Sequence, residues 1–377
     1  MKKIGIFTGF FLPHLGGVER YTDKLVEQLK KLGYEIIIIT SNDNNYQDYE
    51  KLDNYTIYRL PVFNLIKQRY PLLKKNSKYK MIVEKIKEEN CDYYICNTRF
   101  YLTSLLCAKI AKNQKKKFLV IEHGSNHFTV NNKILDFFGA KYEHFITNKI
   151  KKQNPKFYGV SERCNEWLKH FNIEASGVFY NSVDDKAYDE FKNSKYKRSF
   201  KNKIVISFVG RIIKEKGILL LLDAFKELSN DYKNIVLVVA GNGPLLEELK
   251  KDYDTKNIFF EGKLNYDEVM ALYNRTDIFV NPSMYPEGLP TSILEAGIMK
   301  SAIIATDRGG TVEVINNKKY GIIIRENKDS LKKAMKELLD NPELMNSLKE
   351  NINKRIMKSF TWKETAKIVA KELNKDE

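Results

Sequence analysis

The sequence predicts an α/β protein made of two doubly wound parallel sheets, one in each half of the chain. Three observations carry that expectation. Short β-branched runs alternate with amphipathic helical patterns along all 377 residues, as expected of parallel sheets flanked by helices. The runs form two series, which meet at a polar, lysine-rich stretch, FKNSKYKRSFKNK, at 191–203. The length also exceeds one ordinary domain of roughly 100–200 residues, so each series can close a core of its own. The expected layout is an N-terminal domain over 1–185, a C-terminal domain over 186–358 and a final amphipathic helix within 359–377 that packs back on the first domain, with a cleft between the two domains.

The first series reads KKIGIF, EIIIIT, TIYRL, DYYICN, FLVIEH and FYGVS as strands. A helix from Val18 follows the first of them, because Val18, Tyr21, Leu25, Leu29 and Leu32 recur at helical spacing. The second series reads IVISFVG, IVLVVAG, IFFEG, IFVNPS, AIIATD and GIIIR. The start, MKKIGIFTGFFLP, has the basic and apolar parts of a secretory signal but no small-residue cleavage pattern after them, so it is read as a first buried strand. No apolar run approaches the ~20 residues of a membrane helix, which predicts a soluble or peripheral protein. Cys91, Cys96, Cys107 and Cys164 form neither CxxC pairs nor a dense framework. That argues against disulfides and zinc alike and fits a reducing cytoplasm.

The net charge of +16 is uneven, since residues 1–175 hold 30 Lys and Arg against 18 Asp and Glu, while the remainder holds 34 against 30. Basic residues mix with apolar and aromatic ones in FNLIKQRYPLLKKNSKYK (63–80) and KIAKNQKKKF (109–118). An anionic membrane surface, nucleic acid and a merely solvated face all produce such stretches.

In open parallel sheets ligands bind beyond the carboxyl ends of strands, so the strand-end loops are the candidate sites. Gly16 and Gly17 precede the first helix and offer bare N–H groups to an anion, or else form only a turn. Neither this loop nor GNGPLLEEL, with Gly241 and Gly243, has the GxGxxG dinucleotide spacing, and Pro244 is read as the first turn of the next helix. Arg211 follows a strand at once, and Lys216 lies five residues on, before Gly217 and an apolar helix. Two cations there suit a diphosphate, although a surface turn can carry the same residues.

YPEGLPTSILEAG places Glu287 on a loop, with Pro290 expected as the first residue of a helix that carries Thr291 and Glu295. The two acids therefore stand at two depths of one pocket, with the amides of Gly288 and Leu289 between them. Carboxylates accept hydrogen bonds from vicinal hydroxyls, so a ribose suits one and a hexose the other. As a bare pair they are better read as a helix-start acid and a surface acid, and only the surrounding motifs favour the pocket. His123 closes the strand FLVIEH, and Asp252 with Asp254 in KKDYDTKN reads as a polar loop after a charged helix rather than a metal-bound nucleotide site.

Together these stretches resemble the retaining glycosyltransferases of family 4, which have the two-domain GT-B fold. The resemblance runs through the glycine pair at 16–17, EHG at 122–124, YNSVD at 180–184, GRIIKEKG at 210–217, AGNGP, EGLPTSILEA, DRGGTVEVI and FTW. Ser182 departs from it, standing where the family usually has glycine. The resemblance implies a metal-independent hexosyl transfer without a cofactor, from a nucleotide-sugar donor, UDP by default, to a glycan or lipid-linked acceptor in cell-surface polysaccharide or glycolipid synthesis. It puts Arg211 and Lys216 on the donor diphosphate, with Gly16 and Gly17 near it. Glu295 goes to the ribose, Glu287 with the backbone of Gly288, Leu289, Pro290 and Thr291 to the transferred sugar, Gly243 to the donor site, and His123 near the donor sugar and acceptor. The implied location is the cytoplasm, peripheral at a membrane, with no nucleic-acid partner. A GT-B nucleotide-sugar epimerase and a basic nucleic-acid-binding protein are the competing expectations; the second leaves the glutamates and Arg211 unexplained.

Overall fold

The computed structural model describes every residue except 15, 66–69, 130–131, 286–287 and 376–377. The chain divides into two compact units, Met1–Asn181 with Thr365–Glu377, and Ser182–Glu364. The division thus falls four residues before the expected 185, and the chain rejoins the first unit at 365.

The first unit holds strands β1 (Lys3–Phe7), β2 (Glu35–Asn42), β3 (Tyr49–Lys51), β4 (Thr56–Leu65), β5 (Tyr70–Leu73), β6 (Tyr93–Asn97), β7 (Lys117–Glu122), β8 (Lys156–Gly159) and β9 (Gly177–Val178). Their order is β3-β4-β2-β1-β6-β7-β8-β9, with β5 paired to β4. Helices α1 (Gly17–Lys31), α2 (Ser77–Glu88), α3 (Leu102–Asn113), α4 (Lys133–Lys151) and α5 (Glu162–Lys169) accompany the sheet. In β2, Ile36 to Ile39 are all buried, the continuous apolar run of a parallel strand covered on both faces.

The second unit opens with α6 (Ala187–Phe191). It continues through β10 (Ile204–Val209), α7 (Ile218–Asp231), β11 (Ile235–Ala240), α8 (Leu246–Asp252), β12 (Ile258–Gly262), α9 (Tyr266–Arg275) and β13 (Ile278–Asn281). After these come α10 (Thr291–Ile298), β14 (Ala302–Thr306), α11 (Thr311–Val314), β15 (Ile322–Ile324), α12 (Lys328–Asp340) and α13 (Pro342–Ser359). The strand order is β12-β11-β10-β13-β14-β15, and its core gathers Phe208, Leu221, Phe225, Leu237, Ile304 and Leu338. The last helix, α14 (Trp362–Leu373), carries the chain into the first unit.

All twelve strands read from the sequence are present, and β3, β5 and β9 are additional. In each sheet the chain reverses direction beside its first strand: β1 lies between β2 and β6, and β10 between β11 and β13. These are the switch points where doubly wound sheets bind ligands.

The two basic stretches have different fates. Of residues 63–80, the described ones lie at the end of β4, in β5, which pairs antiparallel with it, and at the start of α2, with Lys74, Lys75, Lys78 and Lys80 exposed; residues 66–69, with Lys67 and Arg69, lie outside the described residues. Residues 109–118 end α3 and begin β7, at the edge of the sheet where strands start. There Lys117 donates to the backbone carbonyl of Glu372 and, at 3.3 Å, to that of Leu373, while Lys156 pairs with the Glu372 carboxylate at 2.8 Å. Part of the basic excess therefore holds the carbonyl end of α14, where cations are favoured.

Candidate active site

In the second unit the loops leaving β10, β11, β13 and β14 are laced together by backbone. Gly210 N–H donates to Ala240 C=O and Ile212 N–H to Asn242 C=O, both at 3.0 Å, and Met284 N–H donates to Glu215 C=O at 2.8 Å. Glycines make this approach possible. A Cβ at Gly241 would lie 1.7 Å from the Gly210 oxygen, one at Gly217 2.0 Å from the Pro282 oxygen, and one at Gly243 2.3 Å from the Ile212 oxygen. Gly217 and Gly241 also have φ of +69° and +140°, which side chains resist. Gly243 thus works by admitting backbone.

Arg211 emerges at the centre of this lacing, exposed, and its side chain makes no ion pair or hydrogen bond among the described residues. Lys216 is half-buried at the end of a 3₁₀ turn, Lys214–Lys216, with Gly217 leading into α7. Across the switch point, Gly310 N–H donates to Gly288 C=O at 2.6 Å, and a Cβ at Gly310 would meet Leu289 at 2.6 Å. Gly310 of DRGG therefore seats the Gly288–Leu289 segment.

Helix α10 begins at Thr291, not at Pro290 as expected. Pro290 is its N-cap with ψ of 113°, an extended geometry outside the helix. Among the described residues no side chain caps α10, so its leading N–H groups keep the anion affinity of a helix start. Glu295 lies one turn in, half-buried. Burial first, and then its charge, raise the Tyr266 and Tyr273 hydroxyls above the usual phenol range. Glu287 lies outside the described residues. Pro244 precedes rather than begins its helix, since α8 starts at Leu246. Asp252 ends α8 exposed, at the edge away from the strand ends, and Asp254 is exposed after it.

In the first unit, β7 stops at Glu122, so His123 stands just past the strand rather than closing it. Its Nε2 lies 2.9 Å from Asn97 Oδ1, Asn97 Nδ2 donates to Thr22 Oγ1 at 2.8 Å, and Thr22 Oγ1 donates to Val18 C=O at 2.7 Å. This chain fixes the Nε2–H tautomer and leaves the lone pair on Nδ1. Burial pushes the imidazole pKa down to about 3, so His123 is neutral at physiological pH. Gly16 caps α1 with extended backbone, and Gly17 begins the helix. The Glu19 carboxylate accepts from the N–H groups of Gly16 and of Glu19 itself, and burial raises its pKa. An anion reaching Gly16 must displace that carboxylate, whereas a Cβ at Gly17 would meet nothing within 4 Å.

Beneath His123 lies a network the sequence did not suggest. Arg99, fully buried, donates to Glu122 Oε2 at 2.6 Å and to Glu143 Oε2 at 2.7 Å. The other carboxylate oxygens hold the loop after β7: Glu122 Oε1 accepts from Gly124 N–H at 2.8 Å, and Glu143 Oε1 from Phe128 N–H at 2.7 Å. Burial raises the Glu143 pKa to about 7 against the lowering effect of Arg99. Thr98 beside it has φ of +72°, a conformation that costs a β-branched residue ~1–3 kcal/mol and marks functional loops. The only sequence signal was NTRF directly after the strand DYYICN. Ser182, in contrast, has no positive φ, so its backbone does not require glycine.

The two halves of the chain match two family models: residues 15–187 match "Glycosyltransferase Family 4" and residues 189–355 match "Glycosyl transferases group 1". The chain is 30% identical to the glycosyltransferase MJ1069 of Methanocaldococcus jannaschii, over 97% of this chain and 96% of that protein. It is 26% identical to the alpha-monoglucosyldiacylglycerol synthase of Acholeplasma laidlawii, over 93% and 91%. Among solved structures, Anabaena HepE in complex with UDP-glucose superposes with a TM-score of 0.72 at 13% identity, covering all of both chains.

Proposed function

The chain belongs to the family 4 glycosyltransferases, with the GT-B fold, and from that premise we propose that it moves a sugar from a UDP-sugar to a hydroxyl of a lipid-linked or glycolipid acceptor with retention of configuration. The observation that carries the donor half is Arg211: an exposed guanidinium with no partner among the described residues, at a switch point, in the same unit as the uncapped start of α10. A guanidinium fork and helix N–H groups stabilise the charge that develops on a departing diphosphate. Lys216 adds a second cation, and Glu295 takes the ribose hydroxyls. The sugar leaves as an oxocarbenium-like centre, a donor phosphate oxygen accepts the acceptor proton, and neutral His123 offers its Nδ1 lone pair to a hydroxyl.

The test is thermal stabilisation by a panel of nucleotide sugars, followed by transfer assays with the donor that binds. At about 100 times its Kd a donor stabilises by about 2.7 kcal/mol. Stabilisation by UDP-sugars above other nucleotides is expected, and a uniform absence of stabilisation would sink the reading. Since cations and helix dipoles supply the charge, transfer is expected to survive excess EDTA. Complete loss restored by magnesium or manganese would overturn that.

The lipid half rests on α4. Ile134, Leu135, Phe137, Phe138 and Phe145 are all exposed on it, interleaved with Lys133, Lys141 and Lys149. Leu135 and Phe138 also border an apolar cavity of about 330 Å³ with Tyr70 and Leu72 of β5. Exposed rings beside lysines suit the interface of an anionic membrane. Phe137→Ser with Phe138→Ser is expected to weaken sedimentation with anionic vesicles by about tenfold. Equal binding of the wild-type chain to neutral and anionic vesicles would mean that the charge is only a solvated face.

A further inference from the structure

Three of the chain's five histidines meet on the first unit, although they are far apart in sequence and lie on three elements: the loop after β7 (His127), the middle of α4 (His144) and the end of α5 (His170). His170 Nε2 lies 3.2 Å from His127 Nε2 and 3.2 Å from His144 Nε2. All three ligand atoms fall within 4.8 Å of one another. We propose that these three imidazoles form a binding site for a divalent transition metal ion, zinc being the best match, with one coordination position left for solvent or an exogenous ligand.

The spacing is that of a coordination shell. Zinc–nitrogen bonds of about 2.0–2.1 Å at tetrahedral angles put ligand nitrogens about 3.3–3.4 Å apart. Two edges of that figure are already in place, and the third is no longer than 4.8 Å.

The tautomer is also set for ligation. His127 Nδ1 lies 3.1 Å from Glu143 Oε2, an oxygen that already accepts from Arg99. Nδ1 therefore carries the proton and Nε2 presents its lone pair toward the other two rings, the carboxylate–histidine–metal arrangement that orients a ligand. The Arg99 charge is paired with Glu122 and Glu143, which offsets its repulsion of an ion here.

Aromatic packing holds the rings. Trp167 stacks on His170 with centroids 4.8 Å apart, and Phe171 packs edge-on against His127 at 5.7 Å. Lys151 closes the base by donating to Phe171 C=O at 2.7 Å and Asn172 C=O at 2.9 Å, tying α4 to the end of α5. Bound metal would clamp the His123 loop, α4 and α5 to one another. Three neutral imidazoles favour zinc, cobalt, nickel or copper over magnesium or calcium, which prefer oxygen ligands. Cysteine spacing, which argued against zinc, carries no information about such a site.

The experiment titrates chelator-stripped full-length chain, without any histidine tag, with Co²⁺ and Zn²⁺ at pH 8. One equivalent of Co²⁺ is expected to bind, to quench Trp167 fluorescence and to be displaced by Zn²⁺, while Mg²⁺ does neither. His170→Ala, at an exposed position, is expected to stay folded and to weaken Zn²⁺ by about a hundredfold or more; His144→Ala should do the same. Failure of the wild-type chain to bind one equivalent, or unchanged affinity in both variants, overturns the proposal. The readout is independent of transfer activity, and running the EDTA assay in His170→Ala separates any effect of this site from the leaving-group chemistry.

Discussion

Replacing Arg99 by Met is expected to destabilise the first unit by about 3–5 kcal/mol, the usual result of removing one partner from a buried ion network. The guanidinium and the Glu122 side chain are wholly buried and Glu143 nearly so. Without Arg99 two carboxylates face one another in an apolar setting. The loss should grow with pH. A buried carboxyl whose folded pKa is raised binds its proton more tightly than in the unfolded chain, so its folded form is relatively favoured below the unfolded pKa and loses that advantage as pH rises through the folded value. Glu143 already sits at about 7, and the variant removes the cation that holds it down. Urea unfolding followed by tryptophan emission in a Trp362→Phe background, which leaves Trp167 as the reporter, at pH 5.5 and pH 8, measures both effects. A small loss that is equal at the two pH values would show that Arg99 does not hold this network together. Activity should fall with stability, since Glu122 and Glu143 hold the loop that follows His123 through Gly124 and Phe128.

The second large effect is expected at the donor. Arg211→Ala should weaken nucleotide-sugar binding by about 10–100-fold, the range for losing a charge-assisted hydrogen bond of ~1.5–3 kcal/mol. Because Arg211 is exposed and unpartnered among the described residues, the fold should be unaffected, so the change reports binding alone. Arg211→Lys should recover only part of the affinity, since a lysine keeps the charge but not the planar fork. Glu295→Ala should weaken the donor by a smaller factor through the ribose. Calorimetric titration with UDP and with the UDP-sugar checks each. Unchanged affinity in a folded Arg211→Ala protein would remove Arg211 from the diphosphate site.

The strand-end loops of the second unit were largely legible because their signals are local. A strand end, a cation directly after it, and glycines before a helix sit within a few residues of each other, as in FVGRIIKEKG. The structure explains the glycines by contact: Gly217 against Pro282 and Gly241 against Gly210. The helix start at Pro290 was misplaced by one residue, because proline suits either side of a helix boundary and only ψ distinguishes them. The exposed apolar surface was less legible. Charge pointed to 63–80 and 109–118, whereas the exposed rings lie on α4, and part of the second stretch caps α14. Composition reports how many lysines a segment has but not what they face.

By itself the sequence determined the two sheets, their strands, the loop that carries Arg211 and Lys216 and the helix that carries Glu295, because hydrophobic periodicity and backbone requirements act over short stretches. The tertiary structure alone decided which buried charges meet. Arg99 joins Glu122 and Glu143, and His170 joins His127 and His144, across 23 to 44 residues of chain. The same long-range packing set His123 to a pKa of about 3 and filled the start of α1 with the Glu19 carboxylate. Desolvation and pairing depend on what the rest of the chain brings alongside a residue, and nothing in its neighbouring sequence encodes that.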